Sequence, residues 1–247
     1  MSTHLQMRSG NPALTAETFQ GVRALRGEGA MTIEGTVNKT AVCLIILFAA
    51  ATWTWNLGAA SGGLLVIGVI GGLVTALATV FRQTWAPYTA PAYAGFEGLA
   101  LGGISAAFES RYPGIASQAV FLTFGTLGSL LLAYRSGWIR ATEKFKLGVF
   151  AATGAIAIVY LIGFVMSFFG ASIPLIHGSG MVGIVFSLFV TAVAALNLIL
   201  DFDFIEQGAE RGAPQYMEWY GAFGLLVTLV WLYLEILRLL SKLQERD

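Results

Sequence analysis

The feature that most restricts the fold of this chain is a series of long apolar runs separated by short polar segments. Seven such runs follow one another after residue 38. A membrane-spanning helix needs about 20 predominantly apolar residues, and inside a bilayer its backbone groups must be hydrogen-bonded within the segment. The pattern therefore predicts an all-α integral membrane protein built as a bundle of seven transmembrane helices.

The limits of the apolar runs define the predicted spans. We place these at 40–57, 62–81, 93–108, 116–134, 145–169, 181–200 and 219–240. The third span gives the weakest signal, because it is rich in glycine and carries Glu97 near its start. Residues 1–38 are polar and lack the apolar core of a signal peptide. We therefore expect a polar N-terminal segment (1–38) followed by a single membrane domain (39–247).

The composition supports a membrane protein and argues against other classes. Apolar residues make up 56% of the chain and charged residues only 11%, whereas about a quarter of the residues in soluble domains are charged. The 14 Lys and Arg residues balance the 14 Asp and Glu residues, so we expect no interaction with nucleic acid. Two histidines and one cysteine are too few soft ligands for a typical zinc site.

The distribution of Lys and Arg predicts the orientation in the membrane. Most of these cations, including a cluster at 135–146, fall on the side of the predicted bundle that carries the N-terminus. Cytoplasmic loops of membrane proteins are enriched in Lys and Arg. We therefore predict a multi-pass protein with a cytoplasmic N-terminus. The C-terminal cations Arg238, Lys242 and Arg246 oppose this orientation.

The glycine patterns have a structural interpretation rather than a catalytic one. Residues 178–183 match G-x-G-x-x-G, but a dinucleotide site needs a strand before this motif and an acidic residue about 20 positions later. The spacing of Gly68 with Gly72, and of Gly98 with Gly102, favours close packing of helices in lipid. Because no catalytic triad, zinc motif or phosphate loop is found, we do not expect an enzyme.

Ionisable groups at the predicted membrane boundary are the strongest functional signal. Asp201 and Asp203 follow the sixth apolar run, so we expect Asp201 at the inner boundary. The predicted topology brings Arg82, Glu97 and Glu218 to the same level. One cation among four carboxylates should favour proton uptake by one of them, or the binding of a hard cation such as Ca²⁺. The alternative is that these residues are solvated helix ends.

Glu235 is a further charged residue inside an apolar run. Arg238 follows three positions later and could pair with it on one helix face. At about 1.5 Å per residue, Glu235 lies about 24 Å along the helix from Trp219. This distance predicts that Glu235 and Asp201 lie near opposite sides of the membrane.

Four segments between residues 80 and 240 carry a distinctive pattern. They are 96–105 (FEGLALGGIS), 197–208 (NLILDFDFIEQG), 216–220 (YMEWY) and 232–240 (LYLEILRLL). Together they resemble the Bax inhibitor-1 family, in a bacterial branch, and the segment around Asp201 is the most specific part.

The resemblance implies a seven-helix protein that acts as a pH-sensitive calcium leak channel. In that family, an aspartate at the end of span six and another in span seven share a proton, with a span-two arginine nearby. Asp201 matches the first aspartate and Arg82 the arginine. Glu235 has a context similar to that of the second aspartate, and Asp203 or Glu218 is an alternative partner. The predicted gating or ion-binding residues are thus Asp201, Asp203, Glu235, Glu218, Glu97 and Arg82, with Asp201 and Asp203 as possible Ca²⁺ ligands.

Two functions of different classes follow from these expectations. The first is a passive, proton-gated calcium (cation) leak in a bacterial inner membrane, which needs the lipid bilayer, Ca²⁺ and protons but no cofactor. The second is a non-transporting protein that modulates a membrane partner, such as a protease or a stress-response complex. Segment 1–38 distinguishes them, because a modulator should require it and a leak should not.

Overall fold

Seven long α-helices account for most of the chain that the structure describes. The structure is a computed structural model, and it describes residues 29–58, 62–170, 178 and 180–246. Most of the polar segment 1–38 therefore lies outside the described residues. A 3₁₀ turn at Gln83–Trp85 joins the second helix to the third. The helices are α1 (Ile33–Leu57), α2 (Gly62–Phe81), α3 (Ala86–Arg111), α4 (Ile115–Arg135), α5 (Glu143–Ser167), α6 (Met181–Glu210) and α7 (Met217–Gln244).

The helices confirm the predicted all-α membrane architecture. Six of them are long and apolar enough to cross a bilayer, and α3 is the exception. Even so, α3 runs alongside α7 from one end to the other. Gln83, just before α3, hydrogen-bonds Tyr220 near the start of α7, and Arg111 at the end of α3 lies 3.7 Å from Glu245, just beyond α7. The span with the weakest sequence signal therefore crosses the whole bundle.

Three helices, α1, α3 and α6, extend at least seven residues beyond one end of the apolar runs that predicted them. Helix α1 begins at Ile33, where the side chain of Thr32 accepts a hydrogen bond from the Gly35 amide at 2.9 Å. Residues 33–38 of the polar segment are therefore helical and continuous with the first span. Helix α6 continues past Asp201 to Glu210. Asp201 therefore lies within a continuous helix, at the point where the apolar run is followed by a polar continuation.

Glycines allow α1, α2 and α3 to pack with their backbones almost in contact. A Cβ atom at Gly98 or Gly102 of α3 would collide with the carbonyl oxygen of Leu47 or Ala51 of α1. A Cβ atom at Gly68 of α2 would lie 2.6 Å from the backbone of α3. These contacts confirm the packing role that the glycine spacing predicts. In lipid, where apolar side chains gain little from burial, such close contact is a main source of helix association.

Helix α7 is central in the bundle and α5 is peripheral. About 67% of the apolar stretch of α7 is buried, against 17% of that of α5. The segment before α1 adds a short backbone pairing to the connection between α6 and α7: the Met31 amide donates to the Ala213 carbonyl at 2.7 Å, and the Gln215 amide donates to the Gly29 carbonyl at 2.9 Å. We call this side of the bundle the α6–α7 end.

Replacing Gly98 with alanine should destabilise the bundle. The new Cβ would collide with the backbone of α1, and overpacking of this kind costs about 1–3 kcal/mol. Gly125→Ala is the matched control, because Gly125 is also within a helix and has open space around its Cβ position. Thermal unfolding in detergent should show a lower midpoint for Gly98→Ala and no loss for Gly125→Ala. Equal unfolding midpoints would show that the contact between α1 and α3 has room for a Cβ atom at position 98.

Candidate functional site

The first turn of α7 carries a carboxylate that fixes the start of α1. Glu218 is only 2% exposed. Its Oε1 accepts hydrogen bonds from the Thr32 amide at 3.0 Å and from the Thr32 hydroxyl at 2.9 Å, and its Oε2 lies 2.5 Å from the Lys39 ammonium. Gly35 is needed beside this carboxylate, because a Cβ there would overlap it. Glu218 therefore joins α7 to both the cap and the second turn of α1.

A second ion pair joins α6 to α5 near the same end. The Lys146 ammonium lies 2.7 Å from Oδ2 of Asp203, and the side chain of Lys146 is only 7% exposed. The Gln207 amide also donates to Asp203 Oδ2 at 2.5 Å. Glu143 lies 3.7 Å from Lys146 but is half exposed. Asp203 is therefore the closest anion to a cation that has little access to solvent.

A third charged cluster lies further along α7, towards the opposite end of the bundle. Glu235 is 1% exposed, and both of its carboxylate oxygens accept hydrogen bonds from Arg238, at 2.8 and 3.0 Å. The hydroxyl of Tyr160 on α5 donates to Glu235 at 2.9 Å and accepts from Arg238 at 2.5 Å. The local pair that the sequence suggests is therefore present, and Tyr160 extends it to α5.

Helix α5 contacts the bundle through polar side chains at regular intervals. Lys146, Thr153 and Tyr160 are spaced seven residues apart, which is close to two helical turns, so they lie on one face. The Thr153 hydroxyl accepts a hydrogen bond from the Asn197 amide of α6 at 2.9 Å. We call the three contacts, Lys146–Asp203, Thr153–Asn197 and Tyr160–Glu235, the α5 ladder. The ladder links two of the predicted site carboxylates to one helix.

Asp201 occupies a different position from Asp203. It is fully buried, as is Asn197 one turn earlier. Two residues apart on a helix correspond to a rotation of about 200°, so Asp201 and Asp203 point to different neighbours. In the described part of the chain no three His, Cys, Asp or Glu residues converge as a metal site. The two aspartates therefore lie on different faces of α6.

Arg82 and Glu97 lie apart from the paired charges. Arg82 is exposed, with its guanidinium 5.4 Å from the ring centre of Trp85. Glu97 is half-buried on α3, hydrogen-bonded to Tyr93 and packed against Gly72, where a Cβ atom would lie 2.8 Å from its Oε1.

The prediction that Arg82 supplies the one cation among the carboxylates is wrong. Lys39, Lys146 and Arg238 pair with Glu218, Asp203 and Glu235 instead. Sequence reasoning missed the two lysines as site residues. Both begin spans on the same side as Asp203 and Glu218, so the topological argument that placed the carboxylates could also have found their partners.

Comparison with known families identifies the chain. A sequence model described as "Bax inhibitor 1 like" matches residues 11–245, almost the full length. The chain belongs to the Bax inhibitor-1 family. No individual curated protein matches it. The family assignment confirms the resemblance seen in the sequence and, together with the long apolar helices, a multi-pass membrane protein.

The Bax inhibitor-1 resemblance also implies a shared proton between Asp201 and a carboxylate of the last helix. Two contacts fix the antiparallel register of α6 and α7. Lys242 donates a hydrogen bond to Ser187 at 2.8 Å, and the ring centres of Phe204 and Tyr220 are 6.3 Å apart. In this register Asp201 and Glu235 are separated by roughly 10 to 18 Å along the helix axes. Glu235 and Asp201 are therefore not opposite each other where α6 packs against α7.

Replacing Glu218 with glutamine should weaken the attachment of α1. The change removes the charge opposite Lys39, and breaking a buried ion pair costs about 3–5 kcal/mol. We expect the lower part of this range, because the Lys39 side chain is 23% exposed. Glu245→Gln is the matched control, since the Arg111–Glu245 pair is exposed and such pairs contribute about 0–1 kcal/mol. Thermal unfolding in detergent should separate the two variants clearly, and equal losses would contradict the anchoring role of Glu218.

Proposed function

We propose that this Bax inhibitor-1 family member is a pH-dependent cation leak, with Ca²⁺ as the permeating ion and α5 as the helix that moves. The α5 ladder is the observation that carries the proposal. Each end of the ladder contains a carboxylate, Asp203 or Glu235, so the attachment of α5 depends on protonation. The leak is placed in a bacterial inner membrane with the α6–α7 end facing the cytoplasm, as the distribution of Lys and Arg suggests.

The weak apolar packing of α5 supports its role as the moving helix. Only 17% of its apolar stretch is buried, the same share as in α1 and α2. Those two helices are held by close glycine contacts, whereas Gly148 and Gly154 of α5 have open space around their Cβ positions. The apolar cluster that includes it has just three buried residues, Ile156, Val190 and Val193. Elements with few buried contacts open at lower free energy than the rest of a fold. The polar contacts of the ladder therefore carry a large share of the attachment of α5.

The charges around Asp203 set the direction of the pH response. A proton on Asp203 would remove the negative charge closest to Lys146 and so weaken the ion pair that joins α5 to α6. Glu143 would not replace it, because its distance is 3.7 Å and its side chain is 54% exposed. Acidification should therefore loosen α5 and increase the leak. The groups that act on Asp203 are Lys146 and Glu143 of α5, Glu206 and Gln207 of α6, and Tyr134 of α4.

Separation of α5 from α6 would uncover a line of oxygen atoms. This line contains Thr153 of α5, Asp203 and Asn197 of α6, and Glu235 of α7, all of which take part in contacts between α5 and its neighbours. Carboxylate, amide and hydroxyl oxygens are the ligands that Ca²⁺ prefers. Because no three acidic side chains converge in the described residues, we propose passage of Ca²⁺ along this line rather than a resident ion.

The leak should be measured as Ca²⁺ flux into proteoliposomes between about pH 8 and about pH 5, a range that covers the shifted carboxyl groups of proteins. The natural chain should leak little at the higher pH and several-fold more at the lower one. Asp203→Asn resembles the protonated carboxyl, so it should leak at both values. Glu210→Gln is the matched control, because it removes an exposed carboxylate of α6 that is not part of the ladder.

A charge exchange tests the ladder more directly. The double substitution Lys146→Asp with Asp203→Lys should restore low flux at the higher pH, whereas each single substitution should not. If Asp201→Asn changes the flux and Asp203→Asn does not, the leak stands but α5 is not the moving helix. No flux above empty vesicles from folded protein at any pH would reject the leak, and the partner-modulating function would then be preferred.

A further inference from the structure

A large apolar cavity lies on the side of the bundle formed by α1, α3, α4 and α7. Its volume is about 600 Å³. This volume is within the range of about 300–1,000 Å³ that is usual for pockets that bind small molecules. None of its lining residues belongs to the α5 ladder, so the cavity is separate from the proposed ion path. Representative lining residues are Leu44, Trp55, Leu101, Val120, Leu229 and Tyr233.

The cavity opens sideways between α1 and α4. The rings of Phe48 and Phe124 bridge these two helices, with their centres 5.8 Å apart. Phe121 and Phe48 line the cavity and are also 79% and 40% exposed, so they stand at its rim. Both helices are apolar enough to cross a bilayer. The rim therefore faces the hydrocarbon of the membrane, and lipid chains are the molecules next to the opening.

The inner wall of the cavity offers little to a polar occupant. Ser105 and Tyr233 are hydrogen-bonded to each other at 2.7 Å, and the Thr123 hydroxyl donates to the Ala119 carbonyl at 2.7 Å. The other inner residues are mostly apolar. Water occupies a cavity stably only where it finds two to four polar partners. An empty apolar space of this size is also unfavourable, because the cost of a void increases with its volume.

Polar residues collect at one end of the cavity. Thr52 and Asn56 lie in the last two turns of α1, and Ser117 lies in the first turn of α4. Trp55 is at the same level, and tryptophan is enriched where the bilayer meets water. Along α1, the lining residues extend from Leu44 to Asn56, about 18 Å, whereas one leaflet of a bilayer has a hydrocarbon depth of about 15 Å. The cavity therefore has the length and the polarity gradient of one lipid leaflet.

From this geometry we propose that the cavity is a binding site for one acyl chain of a phospholipid. The chain enters between α1 and α4 past Phe48 and Phe121. Its methyl end reaches the level of Leu44, and its ester and headgroup remain near Asn56 and Ser117. The bound chain fills the gap that α1 and α4 leave between them. This site is independent of the leak and remains if the leak is disproved.

The first test is photo-crosslinking. The full chain is reconstituted in a phospholipid bilayer that includes a phospholipid with a diazirine in its acyl chain. After irradiation and digestion, labels should concentrate in the cavity-lining parts of α1 and α4, at 44–56 and 116–124. Leu161 and Phe164 of α5 serve as the control. They are 61% and 62% exposed, so their labelling measures contact with the lipid that surrounds the protein. Equal labelling of α5 and of the cavity segments would overturn the proposal.

Variants that fill the cavity provide the second test. Val120→Trp places a large ring in the cavity, and Thr52→Phe does the same from α1 if the first variant does not fold. Leu132→Trp is the matched control, because Leu132 is on α4, is 70% exposed and does not line the cavity. Native mass spectrometry should show one tightly held phospholipid on the natural chain and on Leu132→Trp, and its loss from the filled variants. Retention by all variants, or by none of the proteins, would overturn the proposal.

Discussion

The need to neutralise charge in an apolar bundle determines how several of these helices are placed. A charged side chain at membrane depth is costly unless it is paired or reaches water. Three carboxylates with little exposure each have a cation within 3 Å: Glu218, Asp203 and Glu235. Two of these pairs connect different helices, α1 with α7 and α5 with α6. Charge pairing therefore helps to hold these helices together, as apolar burial does in the core of a soluble protein.

Much of the fold can be predicted from the sequence, because the number and approximate positions of the helices follow from local hydropathy. The glycine contacts are also predictable, since their spacing places them on one face. Which charged residues pair with each other is harder to predict from the sequence, because it depends on how each helix is rotated about its axis. Lys146 meets Asp203 only through that rotation, while Arg82, at a similar level, turns towards Trp85. The continuation of α6 to Glu210 is also not apparent from hydropathy, because the apolar run ends before Asp201.

The bundle combines two kinds of helix attachment with different sensitivities. The contacts of α1, α2 and α3 rest on glycines and backbone proximity, which do not change with pH. The contacts of α5 rest on two carboxylates, one amide and few apolar side chains. In the proposed leak, a proton would alter the position of α5 and leave the glycine-packed helices in place. This division is the physical basis for a local opening instead of unfolding of the whole bundle.

Helix α7 connects the α5 ladder with the apolar cavity. Tyr233 lines the cavity and Glu235 belongs to the ladder, and two residues apart on a helix point in nearly opposite directions, about 200° apart. The same two turns of α7 thus form a wall of the cavity and a support for α5. An acyl chain that fills the cavity would hold this part of α7 against α1 and α4. Movement in response to protons would then be confined to α5, because α7 has no free space into which it can shift.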